Sequence, residues 1–205
     1  MDRSAHWEHV YRTKAPDQVS WFQAEAGLSR QLIERALPDR GASIVDVGAG
    51  ASTLVDGLLA AGYGRITVSD LSARALEIAQ ARLGAAADAV NWEHADVLTH
   101  PFAPASVDLW HDRAVFHFLT SPDERMQYVA QVRGALRSGG LALVATFAED
   151  GPTRCSGLEV VRYAPEQLQS EFGAEFRLLE SQREMHTTPT GGVQAFTYCL
   201  CRYEP

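Results

Sequence analysis

The sequence predicts a single α/β domain: a mostly parallel, seven-stranded sheet with helices on both faces, closed by a C-terminal antiparallel β-hairpin. Three observations predict it. Between residues 43 and 146, short apolar runs alternate with amphipathic helical stretches, the βαβα order that builds a parallel sheet. The last two apolar runs are joined by a loop holding Pro189, Gly191 and Gly192, close enough to pair antiparallel. The chain's 205 residues, 46% of them hydrophobic, suffice for one sizeable core and are short for two full domains.

Residues 1–40 read as an N-terminal helical lid preceding the main domain at 41–205. Trp7 and Tyr11, four apart, share a helix face, and Pro16 breaks that helix before residues 19–22. Leu28, Leu32, Ile33 and Leu37 repeat at helical spacing up to Pro38 and Gly41. The first strand spans 43–47, with a helix at 52–61; the second spans 65–69, with a helix at 73–83. Ser52 and Ser72 are the N-caps this spacing predicts. Strands follow at 90–93 and 107–110, then a helix at 123–136 after Pro122, and Gly139 and Gly140 turn the chain into a fifth strand at 141–146. Five βα units are expected, the last carrying a helix at 165–172, before hairpin strands at 176–185 and 193–202.

Composition narrows the function. A formal net charge of -8 without a Lys/Arg-rich run disfavours nucleic acid. The amino terminus lacks the apolar stretch of a secretory signal, and no run of about 18 apolar residues could span a bilayer, so no membrane partner and a cytoplasmic location are expected. The three cysteines, Cys155, Cys199 and Cys201, have no metal-ligand spacing, and their odd number argues against a disulfide framework. Cys199 and Cys201 share one strand face and read as core. No metal is expected.

An open parallel sheet binds its ligand beyond the carboxyl ends of its strands, where the strand order reverses, and the first strand sits there. The loop Asp46, Val47, Gly48, Ala49, Gly50 follows. Its glycines admit backbone angles closed to other residues and bring main-chain N–H groups close to a ligand, while the next helix points its amino end inward. A dinucleotide loop would continue from Gly48 with glycine at position 53; Thr53 stands there instead, which lowers the dehydrogenase reading. Asp46 suits a cationic ligand. Asp70 closes the second strand, where a carboxylate either takes both ribose hydroxyls or caps the next helix. Asp96 follows the third, placed for an adenine amino group or a loop turn. Three acids after three successive strands say more than any one.

Together these stretches resemble a class I S-adenosylmethionine-dependent methyltransferase, with its Rossmann-like sheet. The resemblance rests on residues 44–52, 68–70, 94–97, 107–112 and 137–141 and on the terminal hairpin. It implies S-adenosyl-L-methionine as cofactor, with its methionine part on Asp46, Gly48, Ala49, Gly50 and Ser52, its ribose on Asp70 beside Leu71, and its adenine on Asp96 and Val97. Ser52 departs from the family pattern, where many members carry a third glycine. The N-terminal aromatics Trp7, Tyr11, Trp21 and Phe22 resemble the lid of the thiopurine, thiol and halide methyltransferase group, and also that of a group modifying protein lysines.

Methyl transfer needs an aligned nucleophile and a way to manage its proton. The loops after the fourth and fifth strands, the end of the sixth strand and the N-terminal segment supply candidates: His111 beside the cofactor with Trp21; Asp112, His117 and His186 as acid–base groups; Phe22, Arg113, Arg154, Cys155 and Arg162 as acceptor contacts. Each has a plain structural alternative, such as Asp112 pairing with Arg113 or an inert loop thiol. The acceptor atom stays open. A small-molecule methyltransferase is the leading reading and a protein-lysine methyltransferase the second, ahead of an NAD-dependent oxidoreductase and a non-enzymatic module that kept the cofactor site.

Overall fold

The computed structural model describes residues 2–205. Helix α1 (Arg3–Thr13) starts where the Asp2 carboxylate accepts the N–H groups of Ser4 and Ala5, and it ends before Pro16. After α2 (Gly27–Ala36) the alternating units begin: β1 (Ser43–Val47), α3 (Leu54–Ala60), β2 (Arg65–Asp70), α4 (Ala73–Leu83), β3 (Val90–His94), β4 (Val107–Arg113), α5 (Pro122–Ala135) and β5 (Leu136–Phe147). A small hairpin, β6 (Arg154–Cys155) and β7 (Leu158–Glu159), precedes α6 (Pro165–Phe172) and the terminal pair β8 (Phe176–Thr187) and β9 (Val193–Tyr203).

The seven-stranded sheet runs β3-β2-β1-β4-β5-β9-β8, with β9 antiparallel to both β5 and β8. Four of the five expected βα units are present. The third is not: between β3 and β4 the chain crosses as a loop, in which Asp96 accepts the N–H of Leu98 on its side chain and those of Thr99 and His100 on its carbonyl. Ser72 is the predicted N-cap, accepting Ala75 N–H at 3.1 Å; Ser52 is not, because α3 begins two residues later.

Alternation along the strands sorts the core into two layers. Ile44, Ile66, Leu109 and Leu143 pack with Ile33 of α2 and Leu54 and Leu58 of α3, while Val45, Trp110, Val144, Cys199 and Cys201 pack with Tyr128 and Val132 of α5 and Phe172 of α6. Strands buried on both faces read as continuous apolar runs for this reason. β1 pairs with β2 on one side and β4 on the other, so the strand order reverses there and a crevice opens above their carboxyl ends. Among the described residues no helix is long and apolar enough to cross a membrane, and no group of His, Cys, Asp and Glu could hold a metal ion.

Candidate functional site

The crevice floor is the loop after β1. Gly48 and Gly50 sit at φ +56° and +57°, the left-handed region that costs a residue with a Cβ about 1–2 kcal/mol. Close approach adds to this: a Cβ on Gly48 would stand 2.0 Å from Val115 Cγ2, and one on Gly50 would stand 2.1 Å from the Tyr11 hydroxyl. Asp70, buried at the end of β2, holds the loop. One carboxylate oxygen accepts Gly50 N–H at 2.7 Å and the other Ser72 N–H at 2.8 Å. Burial pushes this carboxyl up to about 6, the two N–H donors opposing the shift.

Two adjoining hollows flank the loop. The larger runs from Asp96 and Val97 past Leu71, Asp70 and Gly48 to Trp7, Phe118 and Cys155. The smaller lies over Asp46, Ala49, Ser52, Phe22, Gln23 and His111. Tyr11, Trp21, Gly48 and Arg113 border both. In the smaller hollow His111 is pinned between Asp46 Oδ1, 2.6 Å from Nδ1, and Ser29 Oγ, 2.9 Å from Nε2. Asp46 Oδ2 is buried with no hydrogen-bond partner, which leaves it free to accept from a donor that enters the site.

The N-terminal segment roofs the crevice. Ser4 donates to the Leu71 carbonyl, Glu8 accepts from Ser72 Oγ and Arg74 N–H, and Trp7 packs edge-on against Trp21 and Phe118 at 5.6 and 5.1 Å. Residues 20–23 are held from below: Arg113 donates to the Trp21 carbonyl, Tyr198 Oη and Glu184, Gln23 donates to Glu184, and His186 Nε2 donates to the Ser20 carbonyl at 2.7 Å. Arg113→Met, which keeps the bulk over the Phe196 ring but drops every donor, is expected to loosen this segment. Hydrogen exchange at residues 19–23 should then rise at least tenfold with the sheet unchanged; equal protection would show that the guanidinium does not hold the roof.

Of the residues singled out in the sequence, Asp46, Gly48, Ala49, Ser52, Asp70, Leu71, Asp96, Val97, His111, Trp21, Phe22, Arg113 and Cys155 line the two hollows. Gly50 lies beneath Tyr11 and acts through the loop. The others go elsewhere. Asp112, instead of pairing with Arg113, is buried beneath the turn after β4, accepting Val115 N–H, Phe116 N–H and, at 2.5 Å, Tyr128 Oη, which in turn accepts Trp110 Nε1–H. His117 is fully buried beside Phe147, its Nδ1 accepting Phe147 N–H, and burial pushes it down to about 3. His186 is occupied with Ser20. Arg154 pairs with Glu159 on the surface, and exposed Arg162 donates to the Gly151 carbonyl. Asp112→Ala would strand two backbone donors and a phenol, so urea denaturation should show a loss of about 3–5 kcal/mol; a loss under 1 kcal/mol would contradict this structural role.

Sequence reasoning missed Arg3, Ser29, Val115, Phe118 and Leu119 in the walls, and left Tyr11 and Trp7 undecided between core and site. The α1 aromatics were visible as a pair; nothing local signals that Ser29, in the first turn of α2, meets His111 across 82 residues of chain.

Residues 44–140 match the family model described as a methyltransferase domain. The fold is that of a class I methyltransferase. Over 121 residues the chain is 31% identical to the ubiquinone/menaquinone biosynthesis C-methyltransferase UbiE of Roseobacter denitrificans, covering 58% of this chain and 47% of that protein. It spans about half the length of the curated relatives it matches. A solved structure from work on the conversion of a disulfide bond into a thioacetal group during echinomycin biosynthesis superposes with a TM-score of 0.79 at 18% identity, covering 98% of this chain and 91% of the other. The Burkholderia thailandensis 1,6-didemethyltoxoflavin-N1-methyltransferase, solved with 1,6-didemethyltoxoflavin and S-adenosylhomocysteine, superposes at 0.70 with 24% identity, covering 89% and 80%.

Proposed function

We propose that this chain is an S-adenosylmethionine-dependent methyltransferase acting on a small-molecule nucleophile. The observation that carries the reading is the line of carboxylates Asp46, Asp70 and Asp96 along one crevice, with the buried Asp46 Oδ2 unpaired. The residues fit the donor. Asp46 offers an acceptor to the methionine ammonium, and the Gly48 floor, which a Cβ would fill, admits the chain close to the sulfonium. Asp70 retains one lone pair on each oxygen beyond those given to Gly50 and Ser72, enough for two ribose hydroxyls. Asp96 and Val97 stand at the adenine end, with Leu71 as an apolar wall; Ala49, Ser52, His111 and Trp21 surround the methionine end.

When bound, S-adenosylmethionine supplies an electrophilic methyl group. The chain's own part is to hold it between loop and roof, exclude water and align the acceptor entering beside Cys155 and Phe118. A roofed crevice, a relative named for ubiquinone/menaquinone biosynthesis and a structural neighbour with bound 1,6-didemethyltoxoflavin support a small acceptor. Calorimetric titration tests the reading. Stoichiometric heats with S-adenosylmethionine and S-adenosylhomocysteine, and none with NAD, are expected; the reverse pattern would restore the dehydrogenase reading.

A further inference from the structure

With the donor read as lying along Gly48, Asp70 and Asp96, the far end of the larger hollow must admit the acceptor, and its walls are Trp7, Trp21, Phe118 and Leu119 with Arg113 and Cys155 as polar members. A general base there would need a free lone pair within about 3 Å of the acceptor's proton. The titratable groups on or behind these walls can be taken in turn. Asp46, Asp70 and Asp96 serve the donor end. Arg3 pairs with Glu124, and Glu184 lies behind Arg113, already accepting from Arg113, Tyr198 and Gln23. The Tyr11 phenol is held protonated by burial, as is the Cys155 thiol, pushed up to about 11. His111 is used on both nitrogens. His117 takes the Phe147 N–H on Nδ1, so its proton sits on Nε2, and His186 donates from Nε2 to Ser20. His6 stands edge-on behind Trp7, 5.1 Å away, with Nε2 against Ser156 Oγ.

We propose that, among the described residues, none acts as a general base on the acceptor, and that the acceptor is a small acid on an aromatic or apolar body that reaches the crevice as its anion. The proton is lost to solvent before binding. In the step itself the anion's electron pair forms the new bond to the methyl carbon, the methyl–sulfonium bond breaks, its pair returns to sulfur, and no proton moves. Two features favour such an acceptor. Flat aromatic walls take a flat or polarizable body. Arg113 puts a guanidinium in the wall of the hollow, with Glu184 as its ion-pair partner at 3.3 Å. A thiol ionising near 8.5 meets the requirement, as does an acidic phenol or enol, whereas an amine near 10.4 is almost wholly protonated at neutral pH.

The inference rests on the donor reading, so S-adenosylhomocysteine binding is measured first; its absence overturns that reading as well. With the donor site confirmed, ring-substituted thiophenols and phenols of graded acidity, with aniline and benzyl alcohol as controls, serve as acceptors. For each acid, kcat/KM against pH should inflect at that acceptor's own pKa. In addition, calorimetry of the S-adenosylhomocysteine-loaded protein in buffers of different ionisation enthalpy should show acceptor binding releasing the proton that the free acid carries. The thiol and phenol arms distinguish the two sources of anion. His6→Gln should leave every profile unchanged. One inflection shared by all acceptors, loss of that inflection in His6→Gln, preferential turnover of aniline or benzyl alcohol, or no turnover of any acid would each overturn the proposal.

Discussion

Asp70→Ala is expected to lower S-adenosylmethionine affinity by at least a hundredfold. The carboxylate does two things at once: it ties Gly50 to Ser72 across the loop, and in the proposed complex it accepts the ribose hydroxyls. Hydrogen bonds to a charged group contribute about 1.5–3 kcal/mol each, so losing two to the ligand exceeds the threshold before any loosening of the loop is counted. Asp70→Asn keeps one acceptor and should fall between. The same residue gives a pH dependence. Burial raises its carboxyl from an ordinary 3.8 to about 6, so the folded apo chain holds the proton more tightly than the unfolded chain does. Its contribution to apo stability therefore declines as pH rises from 3.8 to about 6. Donor affinity moves the other way, rising as the carboxylate forms. Binding measured from pH 5 to 8 should weaken below about 6 in the wild type, and Asp70→Asn should abolish the inflection. Unchanged affinity in Asp70→Ala would remove the ribose assignment.

Gly50→Ala should be nearly as damaging, for a different reason. The new Cβ meets the Tyr11 hydroxyl at 2.1 Å and Cζ at 3.0 Å, in a backbone conformation that Ala enters at a cost of about 1–2 kcal/mol. Overpacking adds about 1–3 kcal/mol. The easiest escape is outward movement of Tyr11, and α1 with it, so limited proteolysis should cut near residues 13–16 and donor affinity should fall with the roof. Adding Tyr11→Phe removes the nearest clashing atom and should recover part of the thermal stability without touching the φ penalty. A double variant no better than Gly50→Ala would mean that Tyr11 is not seated on the loop.

The sheet was legible because buried parallel strands write themselves as apolar runs separated by helices, and residues 43–47 fell within the same bounds in sequence and structure. Strand ends were harder: β5 begins at Leu136, where the turn glycines Gly139 and Gly140 suggested a later start. The missing helix after β3 left no trace in periodicity, because residues 95–106 carry turn chemistry that the alternating pattern does not count. At the site, the residues tied to strand ends were readable, since topology alone puts Asp46, Asp70 and Asp96 at one edge. The candidates chosen by residue type fared differently. Asp112 and His111 are adjacent in β4 and point to opposite faces, one into the α5 core and the other toward the smaller hollow; type could not separate them, while strand alternation could have done so. His117 and His186 answer to packing and backbone partners on distant segments, which a single sequence does not display.

A crystal structure with S-adenosylhomocysteine tests the central claim most directly. The account predicts the ribose hydroxyls on Asp70, the adenine at Asp96 and Val97, and the ammonium within hydrogen-bond distance of Asp46 Oδ2, with the thioether sulfur facing the hollow lined by Trp7, Phe118 and Cys155. A ligand bound away from all three carboxylates, or one leaving Asp46 Oδ2 unpaired, would contradict it.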